Sequence, residues 1–233
     1  LGDHCTRDCR FCNVTHETPL PVDPQETDKV AKAIAELKLN HAVITSVTRD
    51  DLEDGGAAQF AAVTRAIHAY RPECRVELLV PDLQGNHKAL STILMAKPDV
   101  FGHNLETVPR LYPLARAGAD YQRSLDLLAA AAQAAPDIPT KSGLMLGMGE
   151  TMDEIPTVMQ DLQQAGCRML TLGQYLQPTR HHLPVVRYVE PSEFSSLRDI
   201  GLQLGFAHVE AGPLVRSSYH AAEQFEGDSD EQP

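Results

Sequence analysis

The sequence predicts an α/β protein whose strands form a partial (β/α) barrel of the TIM type, with about six parallel strands. Short β-branched apolar runs alternate along the chain with segments in which apolar residues recur at helical spacing. Such alternation is typical of parallel strands joined by right-handed crossovers. Polar residues follow most of the predicted strands, and a barrel gathers such strand ends at one mouth, whereas an open sheet concentrates its site at one switch point. The distribution therefore favours the barrel.

The first half of the chain supplies helices and strands in strict alternation. A helix is predicted after Asp23, an N-cap residue followed by a proline suited to the first helical position, and it extends through Lys38. The elements that follow are a strand at 41–47, a helix after Gly56, a strand at 76–80, a helix around Leu90 and a strand at 99–105.

The second half repeats the pattern. Thr151 and Glu154 have the spacing of a capping box and are predicted to open a helix. The other elements are helical segments at 108–116 and 121–134, strands at 140–146, 169–172 and 207–210, and a helix at 191–204. We expect residues 1–222 to form one domain and residues 223–233 to form an acidic, disordered tail.

Composition and charge exclude several classes of protein. Among the 233 residues, 20 Lys and Arg stand against 32 Asp and Glu, which gives a net charge of −12. This balance argues against nucleic acid and anionic membranes as partners, because phosphate binding needs a positive face. No apolar run approaches the ~20 residues of a membrane helix, and the first residues do not resemble a signal peptide. We therefore expect a cytoplasmic protein.

Three of the five cysteines are clustered. Cys5, Cys9 and Cys12 have the spacing C-x3-C-x2-C, and the motif is predicted to follow a first strand. Thiolates are soft ligands suited to zinc or to an iron–sulfur cluster. Structural zinc normally has four protein ligands, so His4 or His16 would have to complete a zinc site. A cubane cluster on three cysteines instead leaves one iron open. The lone Cys74 and Cys167 are expected to be buried.

The cysteine motif, with Phe11 before its last cysteine, resembles the signature of the radical S-adenosylmethionine (radical SAM) superfamily. The resemblance implies a radical SAM barrel and a 4Fe-4S cluster on Cys5, Cys9 and Cys12. In that superfamily the open iron chelates S-adenosylmethionine. An electron from the cluster then cleaves the sulfonium to a 5′-deoxyadenosyl radical, and the hard chemistry belongs to the cofactors.

Longer stretches are similar to the lipoyl synthase family within that superfamily. They occur in the same order from Leu1 to about Ala222, at residues 1–12, 46–52, 54–57, 102–107, 141–150, 172–178 and 212–219. The resemblance implies insertion of two sulfur atoms at carbons 6 and 8 of an octanoyl group on a lysine of a lipoyl carrier domain. The implied partners are octanoylated 2-oxoacid dehydrogenase E2 subunits, the glycine cleavage H protein, and an electron donor such as flavodoxin or ferredoxin.

The family resemblance also implies a second, auxiliary 4Fe-4S cluster that is the sulfur source. Its cysteines have the spacing C-x4-C-x5-C, which does not occur in these residues. Its remaining ligand would be a serine of the run Arg216-Ser217-Ser218-Tyr219, with Ser218 favoured over Ser217. We therefore expect a fragment that begins inside the first barrel strand, cleaves S-adenosylmethionine and does not insert sulfur.

The resemblance assigns further residues to S-adenosylmethionine. The candidates are Thr48, Asn104, Glu106, Arg123, Lys141, Gly143, Gly147, Glu150 and Gln174. Glu106 would accept hydrogen bonds from the ribose, and Arg123 is preferred to Lys141 for the carboxylate because arginine binds carboxylates in bidentate fashion. The glycines would allow close approach of the backbone. Each of these residues also has a purely structural interpretation. Glu106 would cap a loop, Arg123 and Lys141 would form surface ion pairs, and the glycines would form tight turns.

Several neighbouring side chains have open roles. Arg7 and Arg10 flank the cysteines and would tune a cluster by charge or hydrogen bonds. Arg49 and Asp50 would bind the amino group of S-adenosylmethionine or shape a channel. The pair His181-His182 is interpreted as part of a surface loop.

Three alternatives remain open from the sequence. A zinc-stabilised βα domain would use the three cysteines and a histidine. A biotin-synthase-like sulfur-inserting enzyme would share the cysteine motif, although it is not expected to carry the Arg-Ser-Ser-Tyr run. An aldolase-like barrel would use Lys141 as its catalytic lysine, but it leaves the clustered cysteines without a role.

Overall fold

The structure, a computed structural model, describes residues 1–219 and Ala221. Its centre is a parallel sheet of six strands, in which each strand pairs with the next along the chain. The strands are β1 (His41–Thr45), β2 (Arg75–Leu79), β3 (Val100–Gly102), β4 (Thr140–Leu146), β5 (Met169–Gln174) and β6 (His208–Gly212). The predicted partial barrel of six parallel strands is confirmed.

Helices connect these strands. They are α1 (Glu26–Glu36), α2 (Ala57–Tyr70), α3 (His87–Leu94), α4 (Tyr112–Ala115), α5 (Tyr121–Ala134), α6 (Glu154–Gln164) and α7 (Pro191–Gln203). Side chains fix several of their starts. The Asn86 amide oxygen accepts two backbone N–H groups at the start of α3, and the Asp120 carboxylate accepts the Arg123 N–H at the start of α5. Glu190 and Glu193 form a capping box at α7.

Two apolar cores fill the space between sheet and helices. One lies under β1 to β3 and contains the fully buried Ile67 and Leu78. The other lies under β4 to β6 and contains the fully buried Leu170 and Leu172. Residues of α5 contribute to both cores. Strands β4 and β5 are buried almost throughout, and β4 carries the polar residues Thr140, Lys141 and Ser142 into the interior.

Element boundaries differ from the predictions where the backbone leaves the sheet. The strand predicted at 99–105 ends at Gly102, because Glu106 adopts a left-handed backbone (φ 68°) and rejoins β4 only through a single bridge to Leu144. Strand β1 ends at Thr45 rather than at residue 47. Strand β5 extends to Gln174, two residues further than predicted, because Gln174 stays in register with Leu146.

Two predicted helix starts were wrong in detail. Helix α1 begins at Glu26, since the Asp23 carboxylate accepts the N–H of Gln25 in a turn that precedes it. Helix α6 begins at Glu154. The Glu154 carboxylate accepts the Thr151 N–H at 2.7 Å, but it also binds Arg110, so only half of the predicted capping box forms.

Residues 1–4, where the sequence predicted the end of a strand, contain no strand in the structure. Residues 1–25 form a loop segment whose pairing is limited to isolated bridges, His4 with Thr15 and Cys9 with Arg116. The predicted acidic tail at 223–233 lies outside the described residues. Within the described part of the chain, no helix is long and apolar enough to cross a membrane.

Candidate functional site

A cavity of about 660 Å³ opens beside the carboxyl ends of the first strands. Its walls include the side chains of Cys5, Cys9 and Cys12. A second cavity of about 410 Å³ adjoins it and shares part of its wall, including Cys12 and the two polar residues Asn104 and Glu106. The smaller cavity extends over β4 and β5 to the serines at 217 and 218. Together the two cavities form the mouth of the partial barrel.

Backbone hydrogen bonds hold the cysteine loop on the barrel. The Cys5 N–H donates to the Thr15 carbonyl at 2.8 Å, and the Thr6 N–H donates to the Thr48 carbonyl after β1 at 3.0 Å. On the other side, the Arg10 N–H donates to the carbonyl of Ala115 in α4 at 2.9 Å. The loop is therefore fixed both to the end of β1 and to α4, which places its thiols over the mouth.

Arg7 ties the same loop to the strand ends through buried charge. Its guanidinium donates to both carboxylate oxygens of Asp50 and, at 2.6 Å, to the fully buried Asp82, which also accepts from Arg123. Burial alone would raise the pKa of Asp82, but Arg7 and Arg123 hold it below its usual range. The Arg7 backbone N–H also donates to the Cys5 Sγ at 3.4 Å. The loop that carries the thiols is thus locked to an ion-pair network.

Two of the three thiols, those of Cys9 and Cys12, have raised pKa values. Burial raises the pKa of Cys9 to about 11, against the opposing charge of Arg116. Burial also raises the pKa of Cys12, against a hydrogen bond from the Val14 backbone. Metal binding displaces thiol protons, and three soft donors on one partly buried cavity fit an iron–sulfur cluster with one open iron.

Among the described residues, no group of three or more His, Cys, Asp or Glu side chains converges on a point where a single metal ion would sit. A zinc site needs four ligands around one ion. In a cubane each thiolate binds a different iron. Three thiols that line one cavity, each available to a different iron, fit a cubane.

Among the predicted polar site residues, Asn104 and Glu106 are the two that line both cavities. The Asn104 Nδ2 donates to the Glu106 carboxylate at 3.2 Å and to the Ser217 Oγ at 2.8 Å. Burial raises the pKa of Glu106, while Arg116 and Asn104 act in the opposite direction. Thr48 lines the larger cavity as well. These side chains and the thiols therefore face the same space.

Gly143 forms part of the smaller cavity's wall. A Cβ at this position would lie 2.6 Å from the Thr171 Oγ1 and 3.0 Å from the Asn104 Oδ1. The wall therefore requires a residue without a side chain. Gly147 lies outside both cavities and has a positive φ of 104°, and a Cβ there would lie 2.5 Å from the Arg187 carbonyl oxygen.

Four other predicted site residues do not line either cavity. Arg123 is paired with Asp82 and donates to the Gly118 carbonyl at 2.8 Å. The Glu150 carboxylate accepts the N–H groups of Gly147 and Met148 and closes the turn after β4. The remaining two, Gln174 and Lys141, are buried and bind other parts of the protein.

Arg116 is the residue that sequence reasoning missed. It is buried in the wall of the larger cavity, and its guanidinium donates to the Leu105 carbonyl and to the Tyr112 hydroxyl at 2.8 Å. It also reaches the Nε2 of His103 at 3.5 Å. In the sequence, Arg116 was only the last residue of a predicted helical segment. Its burial arises from tertiary packing, and no local pattern signals it.

A second contact was also unexpected. The predicted surface loop does contain the exposed His181. However, the ring of His182 contacts the Cys12 carbonyl through Nε2 at 3.0 Å, and the Leu183 N–H donates to the Arg10 carbonyl. The loop after β5 is therefore packed against the cysteine loop.

Comparison with solved structures identifies the fold. Residues 1–162 match the Radical SAM superfamily. Methylornithine synthase superposes with a TM-score of 0.67 at 13% identity, covering 93% of this chain and 71% of that protein. HydG, a maturase of the FeFe-hydrogenase, gives a TM-score of 0.71 at 12% identity, covering 97% of this chain and 53% of that protein.

Curated relatives resolve the family. A lipoyl synthase from Acidithiobacillus ferrooxidans is 58% identical over 226 residues, covering 97% of this chain and 71% of its own length. One from Methylococcus capsulatus is 58% identical over 225 residues, with coverages of 96% and 70%. One from Trichlorobacter lovleyi is 58% identical over 223 residues, with coverages of 95% and 79%. The chain belongs to the lipoyl synthase family.

Membership of the lipoyl synthase family confirms the resemblance that the sequence motifs indicated. As a radical SAM protein, a lipoyl synthase uses a 4Fe-4S cluster and S-adenosylmethionine. The aldolase-like and biotin-synthase-like alternatives are set aside, since the relatives match along almost the whole chain.

Proposed function

We propose that this chain cleaves S-adenosylmethionine as the radical-generating part of a lipoyl synthase. The lipoyl synthase reaction inserts two sulfur atoms at carbons 6 and 8 of an octanoyl group, and it also needs the auxiliary-cluster cysteines, whose C-x4-C-x5-C spacing does not occur in these residues. The octanoyl group is amide-linked to a lysine of a lipoyl carrier domain. The observation that supports the proposal best is that the three motif thiols share one cavity with Asn104 and Glu106, in a chain 58% identical to curated lipoyl synthases.

Cys5, Cys9 and Cys12 are the proposed ligands of the radical-generating cluster. When bound, the cluster supplies the electron that cleaves S-adenosylmethionine to methionine and a 5′-deoxyadenosyl radical. The protein contributes position and exclusion of water. The cysteine loop is fixed on both sides by backbone hydrogen bonds, and the hydrogen bond from the Arg7 N–H to the Cys5 Sγ helps to orient that ligand.

The S-adenosylmethionine site is proposed at the junction of the two cavities. The Glu106 carboxylate accepts hydrogen bonds from the ribose hydroxyls, and Asn104 holds that carboxylate in place. The bare backbone at Gly143 allows the nucleoside to approach β4. Thr48 lines the side of the larger cavity. Arg123, which was the sequence candidate for the carboxylate, is engaged with Asp82 and is assigned a structural role.

Ser218 is the proposed non-cysteine ligand of the auxiliary cluster that supplies sulfur. Both Ser217 and Ser218 line the smaller cavity, but the Ser217 Oγ already accepts a hydrogen bond from Asn104. We further propose residues 1–222 as one catalytic domain, octanoylated E2 subunits and H protein as carriers, and flavodoxin or ferredoxin as electron donor. The cytoplasm, where thiols stay reduced, is the proposed compartment.

The first test is metal content and S-adenosylmethionine cleavage. The anaerobically purified protein should be brown and contain about four irons for its three-cysteine cluster. With dithionite it should release 5′-deoxyadenosine. Cys12→Ser should lose both properties, whereas Cys74→Ala, a cysteine outside both cavities, should keep them. Bound zinc and a colourless protein would overturn the proposal.

The second test concerns the product. An octanoyl-lysine peptide derived from a carrier domain is incubated with the protein, S-adenosylmethionine and reductant, and the peptide mass is followed. Lipoyl formation replaces two hydrogens with two sulfurs. Because these residues lack the auxiliary-cluster cysteines, we expect release of 5′-deoxyadenosine with no sulfur in any peptide product. A lipoyl peptide formed by these residues alone would contradict that expectation.

A further inference from the structure

A buried ion pair inside the barrel remains without a role in the reaction. Lys141 is the second residue of β4, and Glu77 lies in β2. Their side chains are 3% and 2% exposed, and the Lys141 Nζ lies 2.8 Å from the Glu77 Oε1. Neither residue lines the two cavities, so neither is placed to touch S-adenosylmethionine or substrate.

Such a pair is weak evidence for stability. Transfer of two charges out of water is unfavourable, and an apolar pair of similar volume is often equally stable. What distinguishes this pair is a third contact. The Lys141 ammonium also donates to the backbone carbonyl of Ser217, 76 residues further along the chain, at 2.7 Å.

Ser217 is held from a second direction. Its Oγ accepts a hydrogen bond from the Asn104 Nδ2 at 2.8 Å, and the same Asn104 amide reaches Glu106. The carbonyl and the side chain of one residue are thus bound by two different strand regions of the barrel. The neighbouring Ser218 lines the smaller cavity and the adjacent groove beside β1.

We propose that Lys141, oriented by Glu77, is a positioning residue that fixes the serine segment (residues 215–218) across the mouth of the barrel. The pair acts from inside the barrel on the backbone, and it determines where the Ser218 hydroxyl stands. The part of this inference that concerns catalysis rests on the proposed role of Ser218 as a cluster ligand. It replaces the expectation that Lys141 binds the carboxylate of S-adenosylmethionine.

The test removes the pair as a unit. The single variant Lys141→Met removes the ammonium from the buried Glu77 carboxylate, leaves only the His41 ring beside it at 3.4 Å, and is expected to unfold. In the double variant K141M/E77L, two apolar side chains of similar volume fill the space of the ion pair. If it does not fold, K141Q/E77Q replaces it, because the two amides still bind each other while the shorter side chain at 141 no longer reaches Ser217. The control D28L/K32M removes an exposed ion pair on α1.

The readout is amide hydrogen exchange in a peptide that covers residues 213–219, which includes the Val215 and Tyr219 N–H groups bound within the segment. The double variant should exchange there at least tenfold faster than the parent protein, with little change in β5. The control should match the parent. Parent-like exchange in a folded double variant would overturn the proposal, whatever the enzyme's activity.

A kinetic split separates positioning from failure of the proposed function. The double variant should release 5′-deoxyadenosine within about twofold of the parent rate, since the cysteine loop does not contact Lys141. In a protein that also supplies the C-x4-C-x5-C cysteines, the sulfur insertion of the double variant should fall at least tenfold relative to its parent. Equal loss of both activities would contradict a specific effect on the serine segment. Loss of S-adenosylmethionine cleavage in the parent itself would instead count against the proposed function.

Discussion

Arg116 carries a positive charge that is buried in the wall of the thiol cavity. Its hydrogen-bond partners in the described part of the chain are neutral, a carbonyl, two hydroxyls and the ring of His103. A buried cation without a carboxylate partner is unfavourable unless another anion balances it. We propose that the thiolates of a bound cluster, together with the Glu106 carboxylate, balance this charge, since Arg116 opposes the rise in pKa that burial causes at Cys9 and at Glu106.

This electrostatic role predicts a change in reduction potential. Reduction adds negative charge to the cluster, so removal of the cation in Arg116→Met should disfavour the reduced state by about 1 kcal/mol and slow the cleavage of S-adenosylmethionine. Arg116→Lys keeps the charge and should stay closer to the parent. The measurement is a redox titration followed by electron paramagnetic resonance. An unchanged midpoint in R116M would rule out the role.

His103 is the neutral partner that allows the Arg116 guanidinium to be buried beside it. Burial, with Arg116 beside it, lowers the pKa of His103 to about 3. The Nδ1 contacts the Val80 carbonyl at 2.8 Å, so that nitrogen is the donor and Nε2 is free to accept from Arg116. As pH falls below about 6.5, the unfolded chain binds a proton that the folded protein does not. The folded state therefore loses stability towards acid.

The corresponding prediction compares pH profiles of stability. The glutamine of His103→Gln donates and accepts without titrating. The free energy of unfolding of the parent should fall more than that of H103Q, by about 2–3 kcal/mol between pH 6.5 and 4.5. Urea unfolding of the cluster-free proteins over this pH range measures the two free energies of unfolding. Parallel profiles would show that His103 is not a neutral buried group.

At the scale of elements, the cysteine loop depends on the strand ends to which Arg7 binds. Asp82, after β2, accepts from Arg7 at 2.6 Å and from Arg123 of α5 at 2.8 Å, and so joins a loop, a strand and a helix. Loss of a carboxylate that pairs the buried Arg7 and the half-buried Arg123 leaves uncompensated charge. The geometry of the thiols therefore rests on a residue that sits outside the cysteine motif.

Asp82→Asn should lower the free energy of unfolding by about 3–5 kcal/mol at neutral pH. It should also speed amide exchange in residues 5–12. Asp28→Asn, in the exposed pair with Lys32, should leave the free energy of unfolding close to that of the parent, because exposed ion pairs contribute little. Urea unfolding and hydrogen exchange measure the two effects. Parent-like exchange in the cysteine loop of D82N would show that the backbone hydrogen bonds alone hold it.

For the whole molecule, the alternation of apolar runs and helical periods was sufficient to predict the sheet. Period and length of the runs are local properties, and six consecutive parallel strands follow from them. The spacing of the three cysteines likewise indicated the radical SAM superfamily, which the family comparison shows. What could not be predicted were long-range contacts: Arg123 is bound by Asp82, Lys141 by Glu77, and Arg116 is buried by its surroundings. No local pattern encodes these partners.

The two cores meet where β3 and β4 pair through only two residues, Phe101 with Thr140 and Gly102 with Lys141. Helix α5 nevertheless packs into both cores, and the buried Glu77–Lys141 pair crosses the same junction. These contacts couple the halves, so the protein should unfold as one cooperative unit. A defect in either core should then destabilise the entire sheet.

Leu78→Ala in the first core and Leu172→Ala in the second test this coupling, since both side chains are fully buried. Each should cost about 2–5 kcal/mol and accelerate globally limited amide exchange equally in β2 and β5. Leu202→Ala, at an exposed position of α7, is the control and should leave the free energy of unfolding and the amide exchange rates unchanged. Faster exchange confined to β2 in L78A, with β5 at the parent rate, would show instead that the halves unfold separately.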